Sequence, residues 1–388
     1  MSQWELTTLD KLGKISSGKS YCRKYEFNPK LHEESISFVG VKEVGQSRLH
    51  ILKCNRYYFL NKLSLMNNKL FSKNTVCISI YGSYPGDAAL LKNDSFLSNC
   101  VFAFSSYKNI SNPQFIKYCL ELSEKTFSSI SATTIIKKAL PIYKLLSVKF
   151  PCPPHDIQQK IGDILSAYDE LIENSEQQIE VLQNIRTSIF KEWFINLRFP
   201  DSNLVAYWPE RRFPSDWRYQ KLEEVAKIEV GKESANNAVK NGRYPFFTNS
   251  TKDKLARTNK YSYDTSATLI NFGGSDFRAR FYRGKFEASD FSYIVLSKDK
   301  NLIFLIFEAI MFILPQIYKC SVNYKKLKKQ QLEGIKIIIP DSKTLEKFNS
   351  ICENIQLKIE SLSIGIEKLE RMKKDLHKMI FSQKIEIF

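Results

Sequence analysis

The sequence predicts an α+β protein with two domains of mixed sheet and helix, each followed by a long helix, the two helices pairing as an antiparallel coiled coil. Three observations predict this fold class. The chain repeats itself, each repeat ends in a long segment with apolar residues every three or four positions, and each repeat contains a β-branched run followed by a glycine turn. At 388 residues the chain is also long enough for more than one domain.

The internal repeat has two matching parts. Residues 4–19 align with residues 217–232 at a constant offset of 213, and the two segments share Trp, Leu, Lys, Ile, Gly and Lys in the same order. Residues 153–194 align with residues 340–381 at an offset of 187, without a gap. The smaller second offset means that the second repeat has a shorter middle. Two matches in the same order favour a duplication over chance.

The repeat boundaries divide the chain into five segments, and a stretch rich in Pro and Arg reads as the linker between the halves. We predict a first domain over 1–152, a first long helix over 153–199, a linker over 200–216, a second domain over 217–339 and a second long helix over 340–388.

Both long helices carry a heptad pattern, which is typical of a coiled-coil seam. About 40 residues at ~1.5 Å each make a rod of roughly 60 Å. The alternative is an ordinary core helix, but these average only about 11–12 residues. Basic residues, Arg186 and Lys373, occupy the same seam position in both, where their aliphatic stems can still pack. The predicted seam consists of Ile161, Leu165, Tyr168, Ile172, Ile179, Leu182 and Ile189 in the first helix and of Phe348, Ile355, Ile359, Leu362, Ile366, Leu369 and Leu376 in the second.

A second apolar stripe, formed by Ile157, Ile164, Leu171 and Ile185, widens the apolar face of the first helix. Apolar surface that the helix pair leaves uncovered would be available to a partner protein.

The charge balance favours a polyanionic partner. There are 58 Lys and Arg against 41 Asp and Glu, a formal net charge of +17. Such an excess predicts salt-sensitive attraction to nucleic acid. The alternative is a basic surface with no partner.

Each middle region contains a predicted strand followed by a turn, at 75–87 in the first repeat and at 267–276 in the second. After the second turn, arginines alternate with aromatics over Phe277–Lys285, a pattern that suits phosphate contact and base reading. A solvated strand edge, or an exposed helix face for the lysines, is the alternative. The candidate DNA-binding residues are Tyr81, Ser83, Tyr84, Lys92, Thr133, Thr134, Lys137 and Lys138 in the first repeat and Arg278, Arg280, Arg283, Lys285, Tyr324, Lys325 and Lys326 in the second.

The sequence offers no recognisable catalytic machinery. Pro151–His155 lacks the amide or carboxylate and the aromatic of an adenine-methyltransferase strip, and no phosphate-binding P-loop is found. Eight cysteines form no C-x-x-C pair and no histidine lies near one in finger spacing, so we predict no metal site, no catalytic residue and reduced thiols.

No secretory signal is visible at the N-terminus. The longest apolar run, Leu302–Leu314, has 13 residues and contains Glu308, whereas a membrane span needs roughly 20. We therefore expect a cytoplasmic protein without a membrane partner.

At the level of motifs, the chain resembles the specificity subunit of type I restriction–modification systems over nearly its whole length. The resemblance rests on the ordered duplication and on the openings of the two domains, Trp4–Gly18 and Phe213–Trp217. It also rests on the Tyr81-Gly82-Ser83 turn and on the helix start Pro153–Ile161. In the second repeat, Pro340–Glu346 departs from the family pattern because it lacks the double proline and the paired glutamine.

The resemblance implies a non-catalytic subunit used in defence against foreign DNA. Each domain would recognise one half of an asymmetric bipartite DNA site, and the helices would form the spacer between the halves. Two methylation subunits would dock on the helices, and restriction subunits would join that complex. By recognising the site, this chain would direct the adenine methylation and restriction that those partners carry out. S-adenosylmethionine, ATP and Mg²⁺ would belong to the partner subunits, with no cofactor in this chain.

Two other classes of protein are also compatible with the sequence. The first is a structural coiled-coil protein associated with DNA, which would bind DNA no better at low salt than a neutral control. The second is an enzyme subunit with unrecognised chemistry, which cofactor crosslinking or cleavage by the purified chain would reveal.

Overall fold

The computed structural model describes residues 4–23, 26–27, 35–59, 69–81, 85–124, 126–127, 129, 139–200, 214, 216–248, 256–272, 277–320 and 326–385. The chain forms two compact units. Unit 1 comprises Met1–Gln177 together with Leu362–Phe388, and unit 2 comprises Gln178–Ser361.

Unit 1 combines three sheets with short helices and the beginning of a long one. Its strands are β1 (Glu5–Thr7), β2 (Gly13–Ser17), β3 (Glu26–Phe27), β4 (Ser35–Val39), β5 (His50–Ile51), β6 (Tyr57–Phe59), β7 (Leu70–Phe71), β8 (Val76–Ser79), β9 (Ala88–Leu91), β10 (Ser95–Leu97), β11 (Val101–Ser106) and β12 (Phe150–Cys152). Its helices are α1 (Leu9–Leu12), α2 (Val41–Gln46), α3 (Pro113–Leu122), α4 (Ile142–Ser147) and the first part of α5 (His155–Phe190).

Over the described residues, the strand orders in unit 1 are β1-β12, β3-β6-β4-β10-β7 and β2-β11-β8-β9-β5. In the last sheet β5 runs parallel to β9, and the other neighbours are antiparallel. The largest core cluster of unit 1 joins this sheet to α3 and to both ends of the unit's chain, through buried Phe104, Phe115, Ile161 and Ile380.

Unit 2 repeats the plan. Its strands are β13 (Arg218–Lys221), β14 (Ala226–Val230), β15 (Tyr244–Phe247), β16 (Ala256–Thr258), β17 (Tyr263–Asn271), β18 (Ala279–Ala288), β19 (Ser292–Ser297) and β20 (Lys336–Ile339). Its helices are α6 (Leu222–Val225), α7 (Ile303–Cys320), α8 (Lys329–Glu333) and the first part of α9 (Ser342–Phe381), and a π-helical turn over Lys191–Ile195 extends α5.

The two units share a strand order as well as a sequence pattern. The described strands of the large sheet in unit 2 follow the order β14-β19-β17-β18-β15-β16, and β15 runs parallel to β18 as β5 does to β9. The helices α1 and α6 begin 213 residues apart, and α5 and α9 begin 187 residues apart, which are the two offsets of the sequence repeat. The predicted fold class, one α+β arrangement used twice with a long helix after each copy, is confirmed.

A shared glycine has the same role in each unit. A Cβ added to Gly18 would lie 2.0 Å from the carbonyl oxygen of Leu97, and one added to Gly231 would lie 2.3 Å from that of Ser289. Only glycine allows the chain that leaves β2 or β14 to pass so close to a neighbouring backbone.

Each unit contains one end of each long helix, and these ends run antiparallel. In unit 2, Arg186 bonds to Gln356 while Trp193, further along α5, contacts Phe348, further back along α9. All fourteen predicted seam residues are buried or half-buried, whereas Ile164, Leu171 and Ile185 of the second stripe are exposed by 39–54 %. Pairing along the full length as one coiled coil stays a prediction, as do the five domain boundaries.

Helix α7 corrects one estimate from the sequence. By length and composition the stretch Lys300–Lys319 is long enough to cross a membrane, so the 13-residue estimate was too short. Half of that stretch is nevertheless buried in the fold, and Phe304 packs 5.3 Å from Phe281 of the sheet. The contacts of α7 in unit 2 are those of a core helix.

Candidate nucleic-acid interface

In unit 1 the described candidates lie where strands end. Tyr81 follows β8 and is 41 % exposed, and its backbone bridges to Ala139. Lys92 follows β9 and is exposed. Between the two strands, Gly86 has a φ of +99°, a backbone conformation that favours glycine. A Cβ at this position would also lie 2.6 Å from the ring of Phe127, so space requires glycine as well. The remaining candidates of the first repeat, Ser83, Tyr84, Thr133, Thr134, Lys137 and Lys138, lie outside the described residues, as do Tyr324 and Lys325 of the second.

In unit 2 two of the predicted arginines lie together. Arg278 and Arg280 line a shallow cleft beside β17, together with Asn271, whose side chain accepts a hydrogen bond from the Arg278 amide at 2.5 Å. Arg278 is exposed and Arg280 is half-buried. Two guanidinium groups beside an amide side chain are the groups that contact phosphates and base edges.

Arg283 is separated from this cleft, because successive residues of a strand point to opposite faces. Its guanidinium forms a bidentate ion pair with the carboxylate of Glu353 in α9, with hydrogen bonds of 2.8 and 2.9 Å. This hydrogen bond raises the pKa of Arg283 and lowers the pKa of Glu353. Arg283 could contact DNA only if its ion pair with Glu353 broke. The assignment of Arg283 to DNA binding stays a prediction.

Lys285 belongs to a cluster that the sequence analysis missed, which we call the tyrosine–cation cluster. The Lys285 ammonium lies 4.7 Å from the ring centre of Tyr261, and Tyr261 lies 4.9 Å from Tyr244. The Arg243 guanidinium lies 5.5 Å from the Tyr244 ring. Exposed aromatic faces beside cations suit stacking against bases and contact with phosphates.

The sequence signal for this cluster is weak. Arginine and tyrosine are adjacent at Arg243-Tyr244, but pairing of β15 with β16 is needed to bring Tyr261 beside them. Elsewhere in unit 2, Lys326 is exposed, with its ammonium 5.5 Å from the ring centre of Phe272. Unit 1 has a similar pair, with the Arg56 guanidinium 4.8 Å from the Tyr21 ring.

Two observations on the described residues bear on catalysis. No group of three or more His, Cys, Asp or Glu among them could hold a metal ion. One carboxyl group is unusual: burial, with Glu124 second, raises the pKa of Asp87 to about 7. Asp87 lies directly before β9, and the charged groups that act on it are Glu124, Glu121 and Lys117.

The start of α9 resolves one departure noted in the sequence. In the first repeat Gln158 is buried and donates to the carbonyl oxygen of Pro153 at 3.0 Å. In the second repeat Asp341 takes over the helix start, accepting hydrogen bonds from the Thr344 amide at 2.9 Å and from the Trp217 indole at 3.1 Å. Asp341 therefore both caps α9 and fixes the opening tryptophan.

Two related α+β units, each with cations and aromatics at exposed strand ends, fit the class of nucleic-acid-binding proteins. Comparison with known proteins identifies the family. The family model for the type I restriction modification DNA specificity domain matches residues 1–184 and again residues 214–371, so the chain belongs to this family. It is the specificity subunit of a type I system, the non-catalytic member that recognises the DNA sequence.

Individual relatives agree with this assignment. The chain is 22 % identical to the type I restriction enzyme MjaIX specificity subunit of Methanocaldococcus jannaschii, over 98 % of this chain and 93 % of the relative. It is 26 % identical to the EcoDI specificity subunit of Escherichia coli, over 44 % of this chain and 38 % of that one. The fold is similar to that of the S subunit from M. genitalium, with a TM-score of 0.59 at 15 % identity and coverage of 99 % and 97 %.

Proposed function

We propose that the two units recognise the two halves of one asymmetric bipartite DNA site and that the paired helices set the gap between the halves. The observation that carries this proposal is the strand order that the two units share. Two copies of one DNA-binding fold whose side chains differ are expected to recognise two different half-sites. Arg278 and Arg280 occupy the second copy, whereas Tyr81 and Lys92 occupy the first. The large basic excess supplies salt-sensitive affinity for the phosphates of both half-sites.

In the second unit we assign DNA contact first to the cleft of Arg278 and Arg280 and then to the tyrosine–cation cluster. Arg278 is exposed beside a polar amide, a combination that reads a base edge. Lys285 and Arg243 lie on tyrosine faces and suit the sugar–phosphate backbone.

Type I partner subunits carry out the chemistry, and we propose two methylation subunits for each copy of this chain. The exposed residues Ile164 and Leu171 of α5 form an apolar surface on unit 1 on which such a subunit can pack. S-adenosylmethionine belongs to those subunits, and ATP and Mg²⁺ belong to restriction subunits that join the same complex. The complex works in the cytoplasm, where the DNA is.

Expression of this chain with its methylation subunit, followed by sequencing of methylated adenines in the host DNA, tests the proposal. One asymmetric motif with two half-sites and a fixed gap is expected, and it should disappear when this chain is omitted. Ala in place of both Arg278 and Arg280 should relax or abolish one half-site and leave the other intact. Methylation that is the same with and without this chain would refute the function.

A further inference from the structure

Unit 1 contains a buried cluster of charges where α3, α5 and the end of α9 meet. The Lys373 ammonium donates to the carboxylate of Asp169 at 2.9 Å and to that of Glu121 at 3.1 Å. Lys117 contacts the same two carboxylates at 3.3 and 2.7 Å. The side chains of Asp169, Lys117 and Lys373 are exposed by 0, 5 and 8 %, and only Glu121, at 38 %, reaches solvent.

Unit 2 contains a second cluster where α7, α9 and the end of α5 meet. The Arg186 guanidinium donates to Glu308 at 2.6 Å and to the side-chain oxygen of Gln356 at 2.7 Å. Thr187 donates to the other oxygen of Glu308 at 2.8 Å. Arg186 and Glu308 are exposed by only 3 and 1 %.

The two clusters occupy equivalent positions in the repeat. The residue pairs Glu121 and Glu308, Asp169 and Gln356, and Arg186 and Lys373 are each separated by 187 residues, which is the offset of the second repeat match. In each unit the carboxylate comes from the domain helix, the acceptor from that repeat's own long helix, and the cation from the end of the other repeat's long helix.

The charges in each cluster are balanced, although the residues differ. Unit 1 has two cations for two carboxylates, and unit 2 has one of each. The extra carboxylate, Asp169, has an uncharged counterpart in Gln356, and the extra cation, Lys117, has an apolar counterpart, Phe304, at the same offset. A buried charge without its partner is costly, which explains why the two differences occur together.

A balanced buried cluster also selects one alignment of the helices. Sliding one helix past the other by a single turn, about 5.4 Å, would remove the cation from both acceptors and leave charges buried without partners. Purely apolar seams discriminate less between alignments, and a polar seam residue is the best-attested device for fixing one.

We propose that Lys373 in unit 1 and Arg186 in unit 2 are positioning residues that fix the alignment of α5 with α9 and thereby the gap between the two DNA half-sites. The proposal rests on the proposed function for the meaning of the gap. The cation at the end of each long helix binds that helix to the other repeat's domain at one position along its axis.

Exchange of the unit 2 residues into unit 1 tests this. Asp169→Gln alone leaves two buried cations facing the single carboxylate of Glu121, and Lys117→Phe alone leaves two carboxylates facing Lys373. Asp169→Gln with Lys117→Phe restores the balance found in unit 2. Asp163→Asn is the matched control, because Asp163 lies on the same helix, is exposed and accepts a hydrogen bond at 2.8 Å from Gln159 of that helix.

Each variant is co-expressed with the methylation subunit, and methylated adenines are sequenced at the wild-type motif and at motifs whose gap is one base pair longer or shorter. Each single variant should lower methylation at the wild-type gap by at least about tenfold relative to the neighbouring gaps. The double variant should recover to within about twofold of the wild type, as the control does. A ratio between gaps is insensitive to the amount of folded protein, so a merely stabilising cluster would not change it.

Single variants with the wild-type gap preference, or a double variant as defective as the singles, would overturn the inference. If Asp169→Gln yields no soluble protein, Asp169→Asn, which keeps the side-chain shape, is measured in its place with the same expectations. A wild-type chain that directs no bipartite methylation would instead refute the proposed function, so the two failures are distinguishable.

Discussion

Removal of the buried guanidinium in unit 2 should destabilise that unit strongly. Arg186→Met keeps an apolar side chain of similar length, which can still lie against the Phe307 ring that the guanidinium faces at 4.8 Å. What it removes is the cation that Glu308 and Gln356 share. Glu308, 1 % exposed, would then be left with the hydrogen bond from the hydroxyl of Thr187 and without its cation.

The expected cost follows from the burial of the pair. Breaking a buried ion pair by removing one partner costs about 3–5 kcal/mol, because the other charge is left without compensation. For a unit of this size, each kcal/mol lowers Tm by roughly 2–4 °C. The expected fall in Tm is therefore about 6–20 °C. Replacement of both partners by apolar residues, Arg186→Met with Glu308→Leu, should recover most of that loss.

Differential scanning calorimetry of the full chain measures this, with Arg283→Met as the matched control. Arg283 also pairs with a carboxylate at 2.8 Å, but both side chains are more than one third exposed. An exposed pair contributes about 0–1 kcal/mol, so the control should lower Tm by no more than a few degrees. Equal effects of Arg186→Met and Arg283→Met would refute the argument from burial.

Three further predictions follow from single sites. Gly231→Ala should destabilise the folded protein by about 1–3 kcal/mol, because the new Cβ would lie 2.3 Å from the Ser289 carbonyl oxygen. Gly365→Ala, whose Cβ would have nothing within 4 Å, should instead stabilise α9 by about 0.5–1 kcal/mol, and thermal melts compare the two variants. Asp87→Asn should raise Tm by an amount that grows from about pH 4 to pH 8. Burial raises the pKa of Asp87 to about 7, so the folded state favours the neutral acid and loses stability as pH rises through that range. A gain in Tm that is independent of pH would contradict this. Lys285→Ala and Arg243→Ala should each reduce the slope of log affinity against log salt by about 0.9, because both are assigned to the sugar–phosphate backbone. Titrations at several salt concentrations measure the slope, and an unchanged slope would exclude phosphate contact.

The repetitive features of the fold were predictable because they depend on local periodicity. The offset of 187 residues predicts where α9 begins once the start of α5 is known. The heptad pattern selects seam residues that are all buried or half-buried. Apolar residues spaced every three or four positions show which side of a helix is buried, so this side can be predicted without knowing what covers it.

The partners of individual side chains were not predictable in the same way. In the sequence Glu308 is only an interruption of an apolar run, and its meaning depends on Arg186, 122 residues earlier. The aliphatic stem of Arg186 was expected to pack, but nothing local indicated that its charge would also be buried. The candidate site shows the same limit, because nothing near Arg283 in the sequence indicates that its guanidinium pairs with Glu353 of α9, 70 residues later.

The repeat also determines how each unit is completed. Trp4, which opens the first repeat, contacts Phe381 at the end of the second, and Trp217, which opens the second repeat, contacts Phe194 at the end of the first helix. Each domain is therefore closed by the helix end of the other repeat. Unit 2 uses no residue beyond Ser361, whereas unit 1 needs Leu362–Phe388 to cover its core and to supply Lys373. Unit 1 is thus completed only when α9 adds Ile380 to its core and Lys373 to the carboxylate of Asp169, which Lys117 already contacts from within the first repeat.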